Sequence, residues 1–298
     1  MQKIFISSLL IIAVAFSAMA QDAVDYLVYK GEKTPVKIIE VGSKQIKYRY
    51  PGEEAIYSMS KLQVEKVIFA SGREEVFDVP VKPVKGLSDA NNVYLTYIQD
   101  EVDGLLSKGS VFSKAVGVTT LSAINTVNNR ATDKLKAEAA MLGANVVFVG
   151  NTFTRGNQAG GKNQAGVSTM TSLSGTAFST DKISLDEVQA MTAGKEFLPF
   201  MINKLNRNAW SPNTFNPFYE SKKPLEKLTL NGFYVEDGKV MIKTSGVPKT
   251  KQQVFEVVNL EADGFITLMH RDSKVIYNYI FIDTDHEFAQ AYLKNRAQ

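Results

Sequence analysis

The 298-residue chain has no cysteine, and this one absence removes several chemistries. Disulfide stapling, thiol nucleophiles, thiolate metal sites and the lipid-bearing cysteine of a bacterial lipoprotein are all excluded. Histidine is nearly as scarce, since His270 and His286 are the only imidazoles available for acid–base or metal work. There is a single tryptophan, Trp210. Charge of one sign is lacking too. The formal net charge is +3, or +2 once Lys3 is removed with a leader, and no dense basic block stands out. That balance argues against nucleic acid as a partner. Beyond residue 20 no apolar run approaches the roughly 20 residues needed to cross a bilayer as a helix, so no transmembrane segment is expected after leader removal.

The first twenty residues are of a different kind. Lys3 supplies a short positive region, Ile4 to Phe16 are apolar apart from Ser7 and Ser8, and Ala18-Met19-Ala20 has the small-x-small form of a cleavage site before Gln21. This pattern predicts a cleaved secretory signal peptide over 1–20 and a soluble periplasmic or secreted product that is not a lipoprotein. The remaining 278 or so residues are enough for two or three ordinary cores.

From Asp25 to Phe77 apolar and polar residues alternate in short runs, such as Val36-Lys-Ile-Ile-Glu-Val41 and Gln45-Ile-Lys-Tyr-Arg-Tyr50, separated by Lys30-Gly31, Gly42-Ser43, Pro51-Gly52 and Ser71-Gly72. Period-two runs between turn residues predict strands. Pro80 and Pro83 then favour extended chain, which gives a β domain over 21–80 and a linker over 81–90. The next segment, 91–180, predicts a strand over Val111–Leu121, a helix over Asn128–Leu142 and a buried strand over Asn145–Val149. On that helix Ala131, Leu135, Ala139 and Leu142 make one apolar face, with Gly143 at the C-terminal cap. The last segment, 181–298, opens with a helix expected from the capping box of Ser184 and Glu187 and continuing through Phe200 and Leu205 despite Pro199. Short strands follow from Leu225 to Ile282, with Asp237-Gly238 the strongest hairpin signal, and His286 to Arg296 close with an amphipathic helix. The fold class expected is β-rich α+β. It comprises a small N-terminal barrel, a central α/β unit and a C-terminal helix with an antiparallel meander or barrel.

Two stretches carry resemblances. The residues 25–77 resemble the SH3-like or Sm-like β modules of exported proteins from Bacteroidetes-type bacteria. Ala131-Thr-Asp-Lys-Leu-Lys-Ala-Glu-Ala-Ala-Met-Leu-Gly-Ala-Asn-Val-Val147, with the later Leu173-Ser-Gly-Thr-Ala-Phe178, is similar to the helix-to-strand signature of small envelope domains of the YbjQ-like and RcsF-like kind. The second resemblance implies a compact α/β domain in the cell envelope. The signalling that RcsF-like proteins carry out through cysteines is not implied, because this chain has none.

Three motifs invite a chemical reading. Gly156-Asn-Gln-Ala-Gly-Gly-Lys-Asn163 nearly spells a phosphate-binding loop, but Asn163 replaces the required Ser or Thr and no helix is expected after it. Asp283, Asp285 and Glu287 flank His286 as a metal set would. The same residues suit a turn followed by the acidic first turn of a helix. The many tyrosines and phenylalanines could face a sugar or peptide, or simply fill strand cores. No residue is therefore assigned a catalytic, cofactor or metal role. The chain reads as a non-enzymatic envelope or secreted protein that binds another envelope protein or supports assembly. The alternatives are a module for a small lipid or glycan held within 225–282, and a hydrolase working through two carboxylates.

Overall fold

The structure is a computed structural model and describes residues 24–119 and 122–296; the signal-peptide reading of residues 1–20 lies outside the described residues. The fold is β-rich α+β, with three sheets that are antiparallel or mixed, and none of them closes into a barrel among the described residues. The chain divides into two compact units, residues up to Val79 and from Pro80 onward.

The first unit is a single antiparallel sheet of β1 (Asp25–Tyr29), β2 (Glu32–Val41), β3 (Gln45–Arg49), β4 (Tyr57–Ser60), β5 (Lys66–Ile68) and β6 (Glu74–Val76), in the order β4-β3-β2-β1-β5-β6. Alternation sends Leu27, Val36, Ile46, Tyr48, Val64 and Val67 into one core. The barrel expected here does not close, because the edge strands β4 and β6 do not pair with each other. These edges have only four and three residues, which is too little ladder for a closing seam. A register shift at Ile38/Glu40 curls the sheet without sealing it.

The second unit contains a four-stranded sheet, β7 (Tyr94–Thr96), β8 (Leu106–Val116), β9 (Val146–Arg155) and β10 (Met170–Ser179), ordered β7-β9-β10-β8, with β7 parallel to β9. Helix α1 (Ile124–Met141) covers one face, and its expected stripe Ala131, Leu135, Ala139 and Leu142 is fully buried. The helix ends in a Schellman arrangement. Ala144 N–H donates to the Ala139 carbonyl and Gly143 N–H to that of Ala140, with Gly143 at φ +70°. Asn145 then fixes the entry into β9, accepting from Thr180 N–H at 3.0 Å and donating to Thr180 Oγ1 at 2.7 Å. The Gly-rich segment after β9 continues the β9–β10 hairpin through the bridges Gln158–Val167 and Gly161–Gln164.

The long helix expected from Ser184 stops early. The capping box forms, but α2 covers only Leu185–Thr192; Gly194 follows at φ +70°, and Phe197–Asn206 is the strand β11. Proline is the physical reason. Pro199 has no N–H to give a helix and pushes Leu198 toward extended geometry, and the register shift between Pro199 and Met201 absorbs it within the sheet. With β11, the strands β12 (Asn213–Phe215), β13 (Thr229–Glu236), β14 (Lys239–Ser245), β15 (Val254–Leu260), β16 (Phe265–Arg271) and β17 (Val275–Asp283) make a seven-stranded antiparallel sheet. Its order is β12-β11-β17-β16-β15-β14-β13. The meander β13 to β17 is as expected, and Asp237 and Gly238 both take positive φ in its first hairpin. A short helix α3 (Pro217–Glu220) and a terminal helix α4 (Glu287–Arg296) pack against it.

One face of this sheet buries Val240, Ile242, Phe255, Leu268, Tyr279 and Phe281 against Val188 of α2. The opposite face gives Val258, Met269 and Ile276 to the core under α1. There the Asn278 side-chain amide donates to the Met141 carbonyl at 2.8 Å, and a buried ion pair joins Lys108 of β8 to Glu256 of β15 at 2.8 Å. β17 therefore serves several cores: Ile276 on one side, Tyr279 and Phe281 on the other, and Ile282 among Leu198, Phe218 and Ala289.

Candidate functional site

Strand β8 is an edge strand. Its odd residues Val111, Ser113 and Ala115 face α1 and are buried, whereas Ser110, Phe112, Lys114 and Val116 are exposed. In an antiparallel ladder, alternate residues direct their N–H and C=O away from the paired strand. In β8 these are the even ones, as three contacts on the outer side demonstrate. Arg271 Nη1 donates to the Ser110 carbonyl at 2.8 Å, Phe112 N–H donates to Glu138 Oε2 at 3.2 Å, and Arg130 Nη1 donates to the Val116 carbonyl at 3.4 Å.

Arg130, Lys134 and Glu138 recur every four residues on α1 and so form one stripe looking past this edge. Opposite them stand the segment after β11, with Arg207 and Trp210, and the β16–β17 turn, held together by Arg207 N–H donating to the Lys274 carbonyl at 2.7 Å. Two adjoining hollows result. One, of about 210 Å³, is lined by residues that include Glu138, Arg271 and Asp272. The other, of about 220 Å³, is lined by Lys114, Arg130 and Trp210 among others, and Phe112, Lys134 and Arg207 belong to both.

The electrostatics of this cleft are lopsided. Arg130 stacks over the indole of Trp210 at 3.6 Å, and that ring is 66% exposed. The buried Lys134 ammonium donates to the Arg207 carbonyl, and burial lowers its pKa. Burial is also the main influence on Glu138, whose pKa is raised although the Phe112 N–H bond pulls the other way. Arg271 Nη2 approaches its second oxygen at 3.3 Å, so both oxygens of Glu138 are engaged. Asp272 has its pKa lowered by the N–H of Lys274, with that of Val275 adding to it. Two carboxylates shifted in opposite directions line one hollow, which is the polarity that acid–base pairs use. Here one of the two is already tied to an arginine and a main-chain amide.

The residues singled out from sequence lie elsewhere. Asp283 is buried, ion-paired to Lys195 at 2.9 Å and accepting from Asp285 N–H; His286 Nδ1 accepts from Phe288 N–H at 3.1 Å at the start of α4. Among the described residues no group of three His, Asp or Glu side chains is placed to hold a metal ion. Gly156–Asn163 is an exposed hairpin extension followed by β10, not by a helix. His270 lies edge-on to Phe255. In the first unit Tyr48, Tyr50 and Tyr57 cluster ring to ring, and burial is the main cause raising the Tyr48 pKa. Sequence reasoning missed the cleft because its residues come from four separated segments. The only local signal was the i, i+4 recurrence of Arg130, Lys134 and Glu138. Among the described residues no helix is long and apolar enough to cross a membrane. Compared with known proteins, the chain matches no family model, no curated protein and no solved structure.

Proposed function

We propose that this chain is an exported, non-catalytic binding protein of the bacterial cell envelope that holds an anionic partner in the cleft beside β8. The observation that carries the reading is the convergence of Lys114, Arg130, Lys134 and Arg207 on one hollow with an exposed tryptophan, while Glu138 is neutralised by Arg271. Such a field attracts anions and speeds their encounter. The A-x-A leader and the resemblance of 131–147 and 173–178 to YbjQ-like envelope domains support the exported setting, and that of 25–77 to SH3-like modules supports a second interaction unit. The lipid alternative is disfavoured, because the inner face of the seven-stranded sheet is packed with Phe255, Tyr279 and Phe281. A carboxylate hydrolase remains a second reading only through Glu138 and Asp272, and Glu138→Gln abolishing turnover of a chromogenic glycoside would establish it.

The test is titration of the mature protein with oligomeric glutamate, followed by the emission of Trp210. Binding that weakens as salt rises and is lost in the double variant Arg130→Ala/Arg207→Ala supports the reading. No emission change with either protein at low salt sinks it.

A further inference from the structure

Resting on that reading, we infer that the anionic partner is an acidic polypeptide segment, bound in extended form as an added strand on the outer edge of β8 at Phe112–Lys114. The outer edge of β8 is satisfied at intervals: Arg271 takes the Ser110 carbonyl, Glu138 takes the Phe112 N–H, and Arg130 takes the Val116 carbonyl. Between these points lie the Phe112 carbonyl and the Lys114 N–H and carbonyl, and no protein group among the described residues meets them. This open stretch borders the 220 Å³ hollow.

A free phosphate or sulfate suits the cations there but not the carbonyls, which would repel it. A peptide backbone presents N–H and C=O alternately at the spacing of the edge, so it satisfies both kinds of group at once. Its side chains alternate between the two faces, so acidic residues at every second position put their carboxylates on the face of Phe112 and Lys114, where Arg207 stands over the Phe112 ring at 5.7 Å. Acidic character follows from charge complementarity, since among the described residues the hollow lined by Lys114, Arg130, Lys134 and Arg207 has no carboxylate in its lining, and Glu138 beside it is paired with Arg271.

The experiment uses the full mature chain and three synthetic peptides: one alternating Glu and Val, the same peptide N-methylated at alternate residues, and one alternating Lys and Val. The Glu–Val peptide is expected to bind and to slow hydrogen exchange at the Lys114 amide at least tenfold. N-methylation of the hydrogen-bonding positions weakens binding at least tenfold, and the Lys–Val peptide does not bind. Lys114→Pro removes the outward N–H without touching the ladder to β10, so it should abolish peptide binding while leaving the urea midpoint near that of Lys114→Ala. Equal affinity for the N-methylated peptide, with no slowing at Lys114, overturns strand addition even though glutamate oligomers still bind in the cleft. If neither peptide nor glutamate oligomer moves Trp210 emission, the anion-binding reading fails first and takes the inference with it.

Discussion

The ion pair between Lys108 and Glu256 offers the sharpest test of how the second unit is held together. Both side chains are about 95% buried and meet at 2.8 Å, and Lys239, a quarter exposed, approaches the other Glu256 oxygen at 3.5 Å. Removing one member of a buried pair leaves a desolvated charge without compensation, at a cost of about 3–5 kcal/mol. Glu256→Leu strands Lys108 completely and should incur that full cost. Lys108→Met leaves Glu256 with Lys239, so its cost should be smaller, about 2 kcal/mol. Replacing both, Lys108→Met/Glu256→Leu, removes the desolvation of both charges and should fall within about 1 kcal/mol of the parent. For a unit of this size each kcal/mol moves Tm by about 2–4 °C, so the Glu256 variant should melt roughly 6–20 °C low and the double variant close to the parent. Urea titration and calorimetry on the four proteins complete the cycle. If the double variant loses the sum of the single losses, the pair is not a mutually compensated unit and the argument is wrong.

Other outcomes follow from single positions. Gly143→Ala places a Cβ 2.7 Å from the Val258 carbonyl at a residue with φ +70°, and should destabilise by about 3 kcal/mol in urea, whereas Gly31→Ala, with open space around it, should cost only the backbone strain of about 1 kcal/mol. Ser184→Ala removes the capping box that starts α2 and should cost about 1 kcal/mol. Glu138 has a folded pKa raised by burial, so its contribution to stability is complete below its unfolded pKa and is lost as pH rises through the folded one. The urea midpoint of Glu138→Gln should accordingly gain on that of the parent across that interval, and superimposable profiles would count against the burial of Glu138.

The sequence revealed the local elements better than the surfaces they create. The stripe Ala131, Leu135, Ala139 and Leu142, the Gly143 cap and the Asp237-Gly238 hairpin were legible because each depends on a few adjacent residues and one backbone preference. The stretch through Phe200 and Leu205 is a strand and not the expected helix because periodicity alone does not separate a short buried strand from a helix, and Pro199 disfavours the helix. The open end of the first sheet depends on how long its edge strands become, which alternation does not encode. The cleft was illegible for another reason. Lys114, Arg130, Arg207 and Asp272 are ordinary solvated charges in sequence and are brought to one cleft only when β8, α1, the segment after β11 and the β16–β17 turn come together.

Strand β17 has a consequence in time as well as in space. It sits between β11 and β16 and supplies Ile276, Tyr279, Phe281 and Ile282 to different cores, yet it is the last strand of the described chain to be synthesised. Until Val275–Asp283 is available, β11 has no inner neighbour, Asn278 cannot meet the Met141 carbonyl, and the apolar face of α1 lacks part of its cover. Because non-local pairing must wait for the intervening loop to close, folding of the second unit is deferred to the end of translation.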